Sequence, residues 1–335
     1  MSELLKRLAN HIRNTPSAEF HVVAGRGFVG EDGPSIAPAI EPKVLPSKPV
    51  EPAGTVVDVG EGKAGRLAFF MDGVERSSTP CFFSMVPVVY GYTAVVIRAR
   101  GADRRMATSR QFSGEALYLP YHLVDSGDLQ RSGMATSDTS DGEVRTDEHP
   151  MMLLDAARKR ISGDRDRLES EITSQWLAEF AGRDEWLLVD GSLTGRYADH
   201  ESPNIVGVVK SHQTQYFPWE EQRKVLALNA GERTGVFIPG GRKRAEVYSW
   251  YLRLHPNQGR DLYFGLIRVE AAKCDRTLDM ADEISRWLLA ERCPLSLPDS
   301  RWDRMIYPIY DCEQYLKSRA PTRIVMDACM MGLGA

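Results

Sequence analysis

The 335-residue chain has no C-x-x-C pair, and its five cysteines, Cys81, Cys274, Cys293, Cys312 and Cys329, are odd in number and widely spaced. That argues against a disulfide framework and against a cysteine-held structural zinc. The seven histidines show neither H-x-x-x-H nor H-E-x-x-H spacing, so a histidine-held metal has no support either. No apolar run approaches the roughly 20 residues a membrane helix needs. The opening "MSELLKRLANHIRN" spreads its charges through an amphipathic helix pattern, unlike the charged-then-apolar layout of a secretory signal. These absences place the chain in the cytoplasm, without a membrane. There is no G-x-x-x-x-G-K-[ST], and "AGRGFVG" at 24–30 does not match G-x-G-x-x-G in register and precedes a proline-rich stretch instead of a helix. A nucleotide-binding enzyme would therefore lack its phosphate cradle.

What is present is a globular composition, 42% hydrophobic and 26% charged, in a chain long enough for one large domain or two ordinary ones. A net charge of −4 decides nothing about nucleic acid, because lysines and arginines can gather on one face of an acidic protein. The prolines and glycines between Gly25 and Gly54 remove backbone donors and predict an extended arm after the N-terminal helix, so the chain divides at 1–54 and 55–335. From Thr55, "TVVDVG", "RLAFFMDGVERSS", "MVPVVYGYTAVVIRAR" and "ALYLPYHLV" predict a mixed or antiparallel meander. Residues 126–150 are polar and predict a mobile surface loop. Residues 151–180 carry helical spacing with a break near Gly163. "NIVGVVKSH" predicts a buried strand ending at Lys210. "AEVYSWYLRLH" and "LYFGLIRVEA" alternate as a strand pair around the turn "PNQGRD". A helix from about Thr277 to Glu291 and another after Pro308 close the chain.

The chain is organised around "WLLVDGSL", Trp186 to Leu193, which reads as a buried central strand delivering Asp190 to its carboxyl end. An Asp opening a turn commonly just bonds the local backbone. Here the pattern recurs: "RLAFFMDG", Arg66 to Gly73, also runs into Asp-Gly, with Asp72 in the corresponding place. Two such strand ends suggest two carboxylates side by side. With one acid from the intervening helix they would form the oxygen-rich cluster that holds Mg²⁺ or Mn²⁺ against a phosphodiester. The helix offers Glu169 and Glu171, beside the apolar stripe positions Leu168 and Ile172. Either also reads as a solvated glutamate in an (i, i+4) pair, and spacing does not choose. Lys210 reads as a solvated strand-end lysine or as a point charge on a phosphate. Arg242, Lys243 and Arg244 in "PGGRKRA" read as a solvated loop or as contacts to a DNA backbone. Tyr307 in "YPIY" reads as packing.

Asp-Gly after an apolar strand, an "RLE" helix, "LLVDGSL", a strand ending in "VVKS" and a late "YP" before a helix, in that order from Leu67 to Tyr315, resemble the NurA nuclease family. The resemblance implies an α/β fold with an RNase H-like mixed sheet flanked by helices. It implies a Mn²⁺- or Mg²⁺-dependent deoxyribonuclease, a homodimer that docks on a HerA-type hexameric ATPase and acts on DNA in end processing or antiviral defence. By position, Asp72 matches the first metal-binding acid, Glu169 the helical acid, Asp190 the second strand acid and Tyr307 the tyrosine of the late motif; Lys210 joins them as a catalytic charge. Two departures stand out. Asp-Gly-Ser is here "DGV", which keeps the carboxylate, and the histidine eight positions after the late tyrosine is here Tyr315. Tyrosine cannot shuttle protons near neutral pH as histidine does, which leaves Asp311 or Glu313 as candidate replacements. It also leaves open a structural adaptor that caps a translocase ring and guides DNA without cutting it.

Overall fold

Strands that are apolar on both faces need covering on both, and the chain is layered accordingly. A computed structural model of the protein describes residues 2–15, 20–22, 43–140, 149–180, 183–193, 204–241, 246–293 and 302–322. The first half supplies α1 (Glu3–Asn14), β1 (Phe20–Val22), β2 (Lys43–Val44), β3 (Ser47–Pro49), β4 (Val56–Asp58), β5 (Leu67–Phe83), β6 (Val86–Arg100), β7 (Met106–Leu119), α2 (Gly127–Arg131) and β8 (Thr136–Asp138). Then follow α3 (Pro150–Phe180), β9 (Trp186–Asp190), β10 (Ile205–Val209), β11 (Thr214–Gln215), α4 (Trp219–Leu226), β12 (Glu232–Thr234) and β13 (Phe237–Pro239). The last are β14 (Val247–Arg253), β15 (Leu266–Ala272), α5 (Asp275–Asp279), α6 (Ala281–Glu291) and α7 (Tyr307–Arg319).

The result is a mixed α/β fold built on one large sheet, whose order is β3-β13-β14-β15-β10-β9-β5-β6-β7-β8. β9 runs parallel to both its neighbours, β5 and β10, while β5, β6 and β7 form an antiparallel meander and β14 and β15 an antiparallel pair. On one face α3 lays Ile172, Trp176 and Leu177 against Phe69, Met71, Val95, Leu187 and Val189. On the other, α6 and α7 cover Phe70, Leu188, Val208 and Val269 with Trp287, Leu288, Ile309, Cys312 and Leu316. α1 buries Leu4, Leu5 and Leu8 against Cys81, Val88, Tyr90 and Leu117 at the far end of the meander. Its first turn is closed by the Ser2 hydroxyl, which accepts from the Leu5 N–H, and by the Glu115 carboxylate, which accepts from the Leu4 N–H.

Several expectations need correction. β5 does not stop at Asp72-Gly73 but continues to Phe83, because β6 goes on pairing with it: Asp72 opposes Val96, Gly73 opposes Val95, and the hairpin closes only at Ser84 and Met85. The proline-rich arm falls largely on residues 23–42, outside the described residues. Its end is no free linker, since β3 pairs with β13 and places Pro49 on the sheet margin, where a missing N–H is tolerated. The predicted loop at 126–150 contains α2 and β8, the latter paired with β7. α3 runs unbroken through Gly163, and the helix expected at 277–291 is two, α5 and α6, meeting at Met280. The polar residues of β14 and β15 are not solvated: Ser249, Arg253, Arg268 and Glu270 are all buried. Arg253 is tolerated there because its guanidinium donates to the carbonyls of Leu226, Leu228, Leu262 and Phe264. No helix among the described residues is long and apolar enough to cross a membrane.

Two glycines separate packing from propensity. A Cβ on Gly91 would strike the Tyr118 ring at 2.5 Å and Ile161 of α3 at 2.8 Å, whereas one on Gly163 would meet nothing within 4 Å. Gly91→Ala is expected to lower stability by about 1–3 kcal/mol through overpacking. Gly163→Ala should raise it by roughly 0.5–1 kcal/mol by removing a helix-interior glycine. Urea midpoints of the two variants against wild type check both signs.

Candidate active site

β9 is apolar from Trp186 to Val189 because it is sandwiched between two parallel neighbours and covered on both faces. Its partners fix what stands at its end. Met71 pairs with Val189 and Asp190 pairs with Val208, so the next residue along each strand brings Asp72 beside Asp190. β9 then turns away at Gly191, whose φ of 102° suits glycine and whose N–H donates to Val208 O. Asp72 is thus an interior residue of a long strand at the point where its parallel neighbour stops. The aspartates meet even though only one of them ends a strand.

Alternation sorts the side chains by face. Asp72 shares its side with Phe70, under α7, and feels the charge of Glu313 from that helix. Burial, reinforced by the Asp190 charge, holds the Asp72 carboxyl well above the usual carboxylate range, against the opposing pull of Lys210 and a hydrogen bond from the Gly73 N–H at 2.8 Å. Lys210, one residue beyond β10, places its ammonium 2.8 Å from Asp190 Oδ1. Arg304 in turn donates to the Lys210 carbonyl.

Glu169 arrives from the α3 side. A Cβ on Gly73 would collide with its Oε1, so the glycine after Asp72 serves as a notch for the third acid and not as a turn residue. Burial pushes the Glu169 carboxyl up to about 7, although Arg165, 3.3 Å away, pulls it down; Asp166 and Asp190 push it further up. Arg165 also reaches Glu75 on β5 at 3.4 Å. Glu171, the alternative helical acid, is exposed on the outer side of α3. The structure therefore brings Asp72, Asp190 and Lys210 together and sets Glu169 close by, under the influence of Asp190. Among the described residues, no three His, Cys, Asp or Glu side chains are gathered in a geometry that could hold one ion.

The late motif is arranged differently from its expected role. Tyr307 opens α7 and is exposed, and no interaction of Asp72, Asp190 or Lys210 described above involves it. Tyr315 is engaged elsewhere: its hydroxyl donates to Gln111 Oε1 at 2.9 Å, and the guanidinium groups of Arg98 and Arg319 cover its ring. Asp311 pairs with Arg98 at 2.9 Å, while Glu313 pairs with Lys317 at 2.8 Å and still acts on Asp72. Arg242, Lys243 and Arg244 lie outside the described residues. Sequence reasoning missed Arg165, although the R-x-x-x-E spacing from Arg165 to Glu169 is a visible helical pair; it named Glu313 only as a candidate replacement for the late histidine.

No protein-family model matches the chain, and no curated protein does.

A pH dependence follows from Glu169. Between about 4.5 and 7 the folded protein holds a proton on this carboxyl that the unfolded chain has already released, so stability falls as pH rises through that window. A shift from 4.5 to about 7 corresponds to on the order of 3 kcal/mol. Glu169→Gln is expected to be the more stable protein at pH 8 by up to about 3 kcal/mol and to match wild type near pH 4. Denaturant unfolding at the two pH values reads this, and an advantage for the variant that is equal at both would contradict it.

Proposed function

We propose that this chain is a divalent-cation-dependent deoxyribonuclease with an RNase H-like core. The observation that carries the reading is the parallel register that sets Asp72 beside Asp190 at a point where the sheet opens. Two carboxylates suit the ion. Mg²⁺ binds through one or two carboxylates, keeps several waters and shares its remaining positions with substrate phosphates, so it needs no complete protein cage. Asp72 and Asp190 would hold it, and bound there it would supply the positive charge that polarises a phosphodiester. The raised affinity of Asp72 for a proton supports the same reading, because a buried acid next to a second acid favours any cation that neutralises both.

The remaining roles fall to side chains. Lys210, already at Asp190, contacts a phosphate oxygen as a compact point charge and offsets the charge that develops during attack. Glu169, titrating at about 7 with its Oε1 in the space a Cβ on Gly73 would take and under the influence of Asp190, serves as the third acid and takes up a proton at Oε1. The resemblance to the NurA family extends the proposal to a homodimer working beside a HerA-type ATPase on DNA ends.

One observation favours the adaptor reading: the position of the family's late histidine is held by a tyrosine committed to Gln111, Arg98 and Arg319. Degradation of linear DNA in Mn²⁺ or Mg²⁺, with and without the ATPase, separates the two. The nuclease reading expects Asp72→Asn and Asp190→Asn to lose at least about a hundredfold in rate, the upper end of the loss seen when groups that merely support a metal ligand are removed. It also expects saturable Mn²⁺ binding that both substitutions abolish. Equal activity in wild type and Asp190→Asn removes Asp190 from the mechanism, and no saturable binding in wild type leaves the adaptor.

A further inference from the structure

The turn that carries the chain away from Asp190 is held by a side chain two strands distant. Gly207 of β10 stands in register between Val189 on β9 and Glu270 on β15. Because Gly207 has no Cβ, the chain leaving β9 can fold across it: a Cβ there would lie 2.7 Å from Gly191 O and about 3.0 Å from the Leu193 side chain. Having crossed, the turn meets the Glu270 carboxylate, which accepts from the Leu193 N–H at 2.8 Å and from the Ser192 hydroxyl at 3.0 Å.

Glu270 is fully buried and is itself fixed by Arg268, whose guanidinium donates to it and to Ser249 Oγ and lies over the Tyr216 ring. A charged pair is expensive to desolvate, and apolar residues at these positions would satisfy the packing of β15. What apolar residues would not provide is a rigid anionic acceptor aimed at two consecutive donors of a turn. The two donors belong to Ser192 and Leu193, immediately after Asp190-Gly191, where the positive φ of Gly191 turns the chain away from β9.

We infer that Glu270, held by Arg268, is a positioning residue for Asp190: it latches the 191–193 turn across Gly207 and so fixes the direction from which the Asp190 carboxylate faces Asp72 and Lys210. This rests on the reading of Asp72 and Asp190 as a cation-binding pair. Glu270 acts through the turn and not on the reacting atoms: the hydrogen bonds that define its place run to Ser192, Leu193 and Arg268.

The test compares wild type with Glu270→Gln, Ser192→Ala and Ser192→Thr. Ser192→Ala leaves the Arg268–Glu270 pair intact, so it remains informative if Glu270→Gln fails to fold. Amide hydrogen exchange at Gly191 and Leu193 reads the latch without reference to activity. Calorimetric Mn²⁺ binding reads its consequence. Expected are faster exchange at both amides and Mn²⁺ affinity weakened by about tenfold in Ser192→Ala, the size of effect seen for groups that orient a ligand. Ser192→Thr, which keeps the hydroxyl, should restore both. Unchanged exchange, or faster exchange with wild-type Mn²⁺ affinity, overturns the positioning role alone. A wild type that binds no Mn²⁺ overturns the cation-site reading as well.

Discussion

Everything at the candidate site depends on the parallel pairing of β9 with β5. A one-residue slip in that register would send Asp190 to the α3 face and Val189 toward α7, because side chains alternate along a strand. Slippage is prevented by burial on both sides: Leu187 and Val189 fill the layer beneath α3, and Trp186 and Leu188 fill the layer beneath α6 and α7. The hydrophobic core thus sets the polar geometry at its margin. The two aspartates meet because their apolar predecessors can pack in only one register.

That geometry comes at a cost to stability. Asp72 is buried beside another acid, and Glu169 is forced toward neutrality by desolvation, so both oppose folding at neutral pH. The opposing cations are sparse and specific: Lys210 faces Asp190, and Arg165 is shared among Glu75, Asp166 and Glu169. Acids packed more tightly than their counter-ions can relieve cluster at functional sites, which is the physical basis of the proposed reading. Elsewhere the same sheet buries charge with full compensation, as at Arg253 with its carbonyls and at Glu270 with Arg268 and the turn.

The strands and helices around the site were legible because their burial is extreme. "WLLVD", "NIVGVV" and the spacing from Leu153 to Phe180 carry periods that only a buried strand or an amphipathic helix satisfies. Asp-Gly at 72–73 was misleading for a physical reason: the dipeptide is a turn signal when the chain must reverse, but here β6 goes on pairing with β5 through Ser78, and Glu169 Oε1 lies where a Cβ on Gly73 would stand. The choice between Glu169 and Glu171 was closed to sequence because both flank the apolar stripe; it depends on the rotation of α3 about its axis, which the packing of Ile172 and Trp176 decides. Likewise the alternating polar residues of β15 signalled a strand but not their burial, since the cover comes from the distant segment around Tyr216 and α4.

The balance of charge is the strongest physical reason to read the site as incomplete by itself. Asp72 feels the charges of Asp190 and Glu313, and Glu169 that of Asp190, while Lys210 pairs with Asp190 and Lys317 with Glu313, so a phosphodiester approaching these acids would meet repulsion. A divalent cation would invert that sign, since bound cations are often the largest local charge in a site and shift the titration of the acids around them. Asp72 is then the pivotal group. On the proposed nuclease reading a cation would compete with the proton for this buried carboxylate, and the Asp190 charge beside it would make that competition a property of the pair. On the adaptor reading the buried pair of acids would carry its folding cost with no compensating role, since apolar residues in the same two places would avoid the desolvation.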